Sequence, residues 1–384
     1  MSSAKAKSDA AGAKPTSNRT PVIIHATDLQ KLVELLRDKG YTVAGPTIRD
    51  RAIVLDEIAS VDDLPVGWID QQDNGRYRLA KSRQKTYFGY TVGMQSWKKY
   101  LYTPMRELWT AERKGHRFAL KSSDNGDTRY ALLGVRACEL QALAIHDQVL
   151  TEGPYADATY ARLRESAFVI AVNCTRAGGT CFCASMGTGP KADTGYDLAL
   201  TEVLEGKQHY FVVDAGTEAG AAVVKGLPHE AATAEQVAAA DQAVAKAASS
   251  MGRKLALDGL KDELYAHFDH PHWNKVAERC LSCGNCTMVC PTCFCVNVED
   301  STSLTGDQAT RTRRWDSCFT VDFSYIHGGS IRASDYSRYR QWLMHKLVYW
   351  QDQFGRPGCV GCGRCITWCP VGIDITEEAR LIRE

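Results

Sequence analysis

Two cysteine runs near the C-terminus constrain this chain more than any other feature. The first runs from Cys280 through Cys283 and Cys286 to Cys290-Pro291, the second from Cys359 through Cys362 and Cys365 to Cys369-Pro370. Both follow C-x2-C-x2-C-x3-C-P, the bacterial ferredoxin spacing for a cubane iron–sulfur cluster. Three thiolates two residues apart can wrap one cluster on a tight turn, and the fourth cysteine of such a run ligates the other cluster. The proline fits the first turn of a helix, where no backbone donor is needed. The expected pairing is therefore crossed: Cys280, Cys283, Cys286 and Cys369 on one 4Fe-4S cluster, with Cys359, Cys362, Cys365 and Cys290 on the other. Structural zinc is the competing reading of C-x2-C knuckles. It has no use for the third regularly spaced cysteine or for the proline.

A chain of 384 residues has room for two or three domains. Charged residues make up 24% and the formal balance is +1, so no strongly acidic or basic partner is demanded, and no basic face implies nucleic acid. No apolar run reaches membrane-spanning length. Residues 1–21 are Ala/Ser/Lys-rich without an apolar signal region and read as a flexible tail. Fifteen cysteines in a long chain with metal spacings fit a reducing cytoplasm better than a disulfide scaffold.

Residues 22–228 alternate strand-like and helix-like segments, which argues an α/β domain. Strands are expected at Val22–Ile24, Ala52–Leu55, Ala131–Val135, Phe168–Val172 and Tyr210–Val213, with a helix capped by Asp28 that ends at Gly40. The patterns of Ser96–Lys114 and Cys138–Leu150 also predict helices. Residues 229–258, rich in Ala and Gln, read as a linker helix. Residues 259–384 are expected to form a mainly α-helical, ferredoxin-type dicluster domain with an inserted arm at 296–350. Within it, Asp269, Pro271 and Trp273 open a helix toward Cys280, and Asp374 with Glu377 suggests a capping box for the closing helix.

The cysteines outside the two runs carry two readings. Cys138 and Cys174 each follow a predicted strand, where open α/β sheets place their sites. Cys181 and Cys183 lie on the Gly178-Gly179 loop and can fold over the same spot. Together the four could hold a third iron–sulfur cluster, or be small buried hydrophobes. Cys293, Cys295 and Cys318 are better read as packing against a cluster whose quartet is already complete than as alternative ligands. Arg311, Arg313 and Arg314 could raise a cluster's potential or simply face solvent. Trp368 reads as core packing, and His116, His146, His267, His270 and His272 as structural.

The combination of Gly134-Val135-Arg136-Ala137-Cys138-Glu139, Asn173-Cys174, Cys181-Phe182-Cys183, Trp273 through Cys295, Arg313 through Cys318 and the Cys359–Pro370 run carries a family likeness. It resembles the beta subunit of sulfhydrogenases (cytoplasmic nickel–iron hydrogenases) together with the 4Fe-4S dicluster subunit of anaerobic sulfite reductases. The resemblance covers nearly everything after the tail. It implies a non-catalytic electron-transfer subunit between a flavin subunit that handles NAD(P)H and a catalytic subunit of a hydrogenase-type complex, or alternatively of an anaerobic sulfite reductase.

The residues agree with a carrier, since ferredoxin-type clusters move single electrons. No G-x-G-x-x-G strand–helix fingerprint or P-loop is present, and Gly187-Thr188-Gly189 is too short to serve. A further alternative is an enzyme that binds substrate at an open cluster in the α/β domain, or that uses a nucleophilic thiolate at Cys138. A metal-stabilised scaffold without a redox role is the third.

Overall fold

The computed structural model describes residues 20–122 and 128–384. Most of the expected tail, residues 1–19, lies outside them. In chain order the strands of the first half are β1 (Val22–His25), β2 (Thr42–Arg49), β3 (Ala52–Glu57), β4 (Trp68–Asp73), β5 (Arg76–Lys81), β6 (Met105–Lys114) and β7 (Arg117–Ser122). They are followed by β8 (Tyr130–Val135), β9 (Phe168–Val172), β10 (Leu198–Glu205), β11 (Gln208–Ala215), β12 (Glu230–Ala231), β13 (Val296–Thr302) and β14 (Gln308–Trp315). Helices up to the linker region are α1 (Leu29–Asp38), α2 (Lys98–Leu101), α3 (Ala137–Leu150), α4 (Ala158–Ser166), α5 (Glu218–Lys225) and α6 (Ala234–Ser249). The C-terminal part adds α7 (Leu260–Ala266), α8 (His272–Arg279), α9 (Asn285–Met288), α10 (Asp335–Met344), α11 (Trp350–Phe354), α12 (Arg364–Thr367) and α13 (Ile375–Arg383).

The main sheet runs β12-β1-β11-β10-β9-β8-β2-β3, parallel across β10, β9, β8 and β2 and antiparallel elsewhere. Its centre is legible as continuous apolar runs, because strands covered on both faces have no polar side. Leu133, Ile170, Val172 and Leu200 pack on one face with the α1 residues Leu29, Leu32, Val33 and Leu36. Leu132, Val169, Ala171 and Ala199 pack on the other with Leu140 and Leu143 of α3 and Leu163 of α4. The period-2 alternation of side chains sends neighbours along each strand to opposite cores. At their carboxyl ends, β8 and β9 deliver Arg136 and Asn173. Buried Arg136 donates to the carbonyl oxygens of Phe88 (3.0 Å), Tyr90 (2.6 Å) and Asn173 (3.3 Å), which fixes the loops around the strand ends.

Two expectations need correction. Ser96–Lys114 is not one helix: α2 stops after one turn, Thr103-Pro104 follows, and 105–114 is strand β6. Pro104 offers no N–H to continue a helix, and β6 gains partners on both edges, β14 and β7. The C-terminal part, expected to be mainly α-helical, also contains strands. The inserted arm opens with the β13–β14 hairpin, which completes a four-stranded sheet β13-β14-β6-β7 with strands from the first half. The segment read as a linker helix, α6, carries a Thr233/Gln236 capping box and lies on the main sheet, with Ala240 packed among Ile23, Val203, Tyr210 and Val212.

The remaining helices surround one apolar core built from Trp273, Val276, Leu343, Leu347, Ile366, Ile375 and Ile382. Asp374 caps α13 by accepting from the Thr376 N–H at 2.9 Å. A helical stretch from Asp335 to Phe354 contains a π-turn at His345–Tyr349, a feature that re-aims side chains and clusters at functional sites.

The cysteine-run loop and the α/β part meet backbone to backbone. Gly363 has φ +75°, and a Cβ there would lie 2.3 Å from the Thr180 carbonyl oxygen. Gly363→Ala is therefore expected to cost about 3 kcal/mol or more, from left-handed strain plus overpacking. Gly115→Ala, at φ +65° with open space around it, should cost only about 1 kcal/mol. Chemical denaturation of the anaerobically purified protein measures both, and equal losses would refute the steric account.

Candidate iron–sulfur centre

The two cysteine runs fold as near copies. Helix α8 ends at Cys280, and the first loop passes through Ser282 (φ +48°) and Gly284 (φ +73°) into α9. The second passes through Gly361 (φ +62°) and Gly363 (φ +75°) into α12. In each loop two left-handed residues flank the second cysteine and turn the backbone around a common centre. Ser282 adopts this conformation without the freedom of glycine, and its hydroxyl is held by Asp335 at 2.5 Å.

Cys280, Cys283, Cys286 and Cys369 line one hollow, together with Cys365 and with Phe319, Tyr339, Trp342 and Ile373 as apolar walls. The first three come from one run and Cys369 from the other. Cys283 is exposed, so this outer site reaches the surface. Exposed Leu281, Met288 and Val371 flank it in sequence. Burial holds the Cys280 and Cys286 thiols above the usual range, and neighbouring sulfurs add to this. Among the described residues no three His, Cys, Asp or Glu side chains converge tightly enough for a single metal ion. Sulfurs ringing an apolar hollow suit a cubane, whose ligands are held apart by the cluster itself.

Cys290, Cys359, Cys362 and Cys365 form the inner set. Burial pushes the Cys359 thiol up to about 12, with Cys362 and Cys290 among its charged neighbours, and Cys365 feels Cys359, Cys362 and Cys290. Cys290 is the exception. A hydrogen bond shared with Cys293 pulls it well below the usual thiol range, and the Lys346 charge assists. Lys346 Nζ lies 3.3 Å from Cys290 Sγ. Cys293 is thus a direct neighbour of a predicted ligand. Cys295 stands just before β13 and Cys318 shortly after β14, and at the base of this hairpin Asp316 N donates to the Cys295 carbonyl at 2.9 Å.

Cys138, Cys174, Cys181 and Cys183 are brought together beyond the ends of β8 and β9. Burial raises Cys181 to about 12, with Cys174 as its nearest sulfur influence. Cys183 is raised by burial and then by Cys181 and Cys174, and Cys138 by burial and then by Cys183 and Cys362. This group abuts the inner set: Phe182 N donates to Gly361 O at 2.8 Å, Thr188 Oγ1 donates to Val360 O at 2.7 Å, and Cys181 Sγ is 3.7 Å from Cys362 O.

Other side chains take plainer places. Arg311 pairs with Asp300 and Arg314 with Glu299 on the exposed hairpin, while Arg313 binds Asp157 at 2.7 Å and stacks over Tyr102. These arginines bond carboxylates rather than sulfur. Trp368 stacks on Tyr77 of β5 with ring centroids 5.1 Å apart. His146 is fully buried, and its packing holds it neutral with a value near 3.

Four buried charges at the site were not anticipated. Arg364, inside the second run, pairs with Glu139 at 2.5 Å and donates to Gly93 O and Gln95 O. Glu139 also accepts from Ser96 Oγ (2.8 Å) and Trp97 N (3.0 Å). Lys98 and Lys346 are the other two. The signal for Lys346 was its isolation within the apolar run Leu343 to Val348.

Comparison with known proteins agrees with this geometry. A family model described as a 4Fe-4S dicluster domain matches residues 279–373. Over 366 residues the chain is 29% identical to sulfhydrogenase 2 subunit beta of Pyrococcus furiosus, covering 94% of this chain and 98% of that protein. No solved structure matches. No helix among the described residues is long and apolar enough to cross a membrane. Residues 279–373 thus match a 4Fe-4S dicluster domain, and the chain is similar along almost its entire length to a sulfhydrogenase beta subunit.

Proposed function

We propose that the chain is an electron-transfer subunit of a hydrogenase-type complex, carrying single electrons between a flavin subunit that handles NAD(P)H and a catalytic subunit. The observation that carries this reading is the crossed set of sulfurs: Cys280, Cys283 and Cys286 share one apolar hollow with Cys369. Bound there and at Cys290, Cys359, Cys362 and Cys365, 4Fe-4S clusters would supply reversible one-electron chemistry. The chain's own residues do the rest. Apolar rings exclude water, left-handed loop residues orient the cysteines, and exposed Cys283 gives electrons an edge at the surface. Cys138, Cys174, Cys181 and Cys183 are proposed to hold a third cluster, close enough to Cys362 to continue the path into the α/β part. The thiol-rich composition suits the cytoplasm. Anaerobic sulfite reductase is the second assembly this reading accommodates, supported by the resemblance of the same motifs.

Replacing Cys286 with serine should abolish the reduced-state EPR signal of one cluster while the other persists, and it should destabilise the C-terminal part because metal binding and folding are coupled. Two intact cluster signals in that variant would contradict the ligand assignment. Replacing Cys174 with alanine should lower iron by about four atoms per chain if the third site holds a cubane, and an unchanged iron content would make those cysteines structural. The isolated chain should accept electrons from dithionite yet show no turnover with NAD(P)H, hydrogen or sulfite. Turnover by the chain alone would favour an enzyme with an open cluster.

A further inference from the structure

Lys98 and Lys346 are almost completely withdrawn from solvent, at 2% and 4% exposure. Among the described residues neither forms an ion pair with a carboxylate, and the nearby Glu139 is engaged by Arg364. Lys346 Nζ instead donates to Cys290 Sγ (3.3 Å) and Thr292 Oγ1 (3.1 Å). Lys98 Nζ donates to the carbonyl oxygens of Cys290 (3.0 Å) and Cys293 (2.7 Å) and sits 4.0 Å from the centre of the Trp315 ring. Two lysine side chains thus meet at the Cys290–Cys293 turn, one from α2 of the first half and one from the π-turn after α10.

A buried cation is costly unless opposite charge compensates it. Here the group available to meet it is sulfur: Lys346 Nζ lies against Cys290 Sγ, with Cys293 and Cys359 the other sulfurs near it. Two of these belong to the inner quartet. A cubane held by four thiolates is negative in both oxidation states and gains one further negative charge on reduction. A fixed cation in a low-dielectric interior favours the more negative state. No lysine or arginine lines the outer hollow.

We infer that Lys346, assisted by Lys98, is the counter-ion of the inner cluster and raises its reduction potential more than that of the outer one, so that an electron entering the outer site is drawn inward. The inference rests on the dicluster reading above. The step is a single electron arriving from a one-electron reductant: no bond forms or breaks, and the ammonium keeps its proton. Lys346 is a positioning residue that acts through the cluster's electrostatics.

The test is EPR-monitored reductive titration of the full chain, reconstituted anaerobically, with iron content measured in parallel. Cys362→Ser identifies the inner signal. Lys346→Gln retains hydrogen bonding without the charge, and should keep full iron while making the inner cluster at least ~10-fold harder to reduce, ~59 mV for one electron. The outer midpoint should move much less, since Lys346 reaches only Cys286 among the outer cysteines, and Lys346→Arg should restore the inner one. An unchanged inner midpoint in a fully loaded Lys346→Gln protein overturns the inference, as does an equal shift of both clusters. If that variant cannot take up iron, Lys98→Met is decisive: a smaller inner shift in the same direction supports the assignment, and no shift overturns it. Absence of cluster signals from the wild-type chain would instead sink the dicluster reading itself.

Discussion

Backbone contact between the second cysteine loop and the Thr180–Cys183 segment holds the two parts of this protein in register. A Cβ at Gly361 would meet the Phe182 carbonyl at 2.7 Å and the Cys183 N at 2.7 Å, and one at Gly363 would meet Thr180. Side chains cannot mediate an approach this close, so glycine has to stand at both positions. The first loop makes no comparable demand. It has Ser282 where the second has Gly361, and a Cβ at its Gly284 would meet the side chains of Ser317 and Thr287 rather than backbone. The duplicated motif has thus diverged according to what each copy touches: one faces solvent, and the other is pressed against the α/β part.

That contact explains why buried polar groups concentrate along the same seam. Gln72, on β4, donates to Asp70 Oδ2 (2.8 Å) and to Thr91, and accepts from Thr367 Oγ1 on α12 (2.8 Å). Thr180 and Thr367 share a hydroxyl–hydroxyl bond at 2.8 Å. Arg253 ties Asp374 at the start of α13 to Asp73 and to the Gly179 carbonyl. Satisfied buried networks of this kind specify one arrangement of the packed parts, because a partly broken one leaves costly orphaned groups. For an electron carrier the benefit is geometric, since fixed parts keep cysteine groups at fixed separations.

The sequence was informative where local signals dominate. The central strands, from Ala131 and Phe168, are apolar enough to be buried on both faces, and α1 shows its apolar stripe directly. The cysteine spacing encodes its loops locally, and Cys369 lies at the same hollow as the first run. The failures share a physical origin in distant pairing. Residues 105–114 lost their helical preference to edges supplied by β7 and by β14, the latter from far along the chain. β13 carries Asn297, Glu299, Asp300 and Ser301, too polar and exposed to announce a strand. Only Pro104, just ahead of β6, warned against the helix.

The buried charges were hidden for a different reason. A lysine within an apolar helix reads locally as a solvated residue at a turn, and nothing in its neighbours says that Cys290 lies opposite. Its meaning appears only when the fold closes and no carboxylate is found to meet it. The same holds for Glu139: next to Cys138 it resembles a residue that would repel electrons, yet the Arg364 pair cancels it. Lys346 then acts on the inner sulfurs beside Lys98 and Arg364, and among the described residues it forms no ion pair with a carboxylate. An interior that pairs one arginine with a glutamate and sets Lys346 against sulfur, with Lys98 on the carbonyls of the same turn, is organised to favour added negative charge at that place.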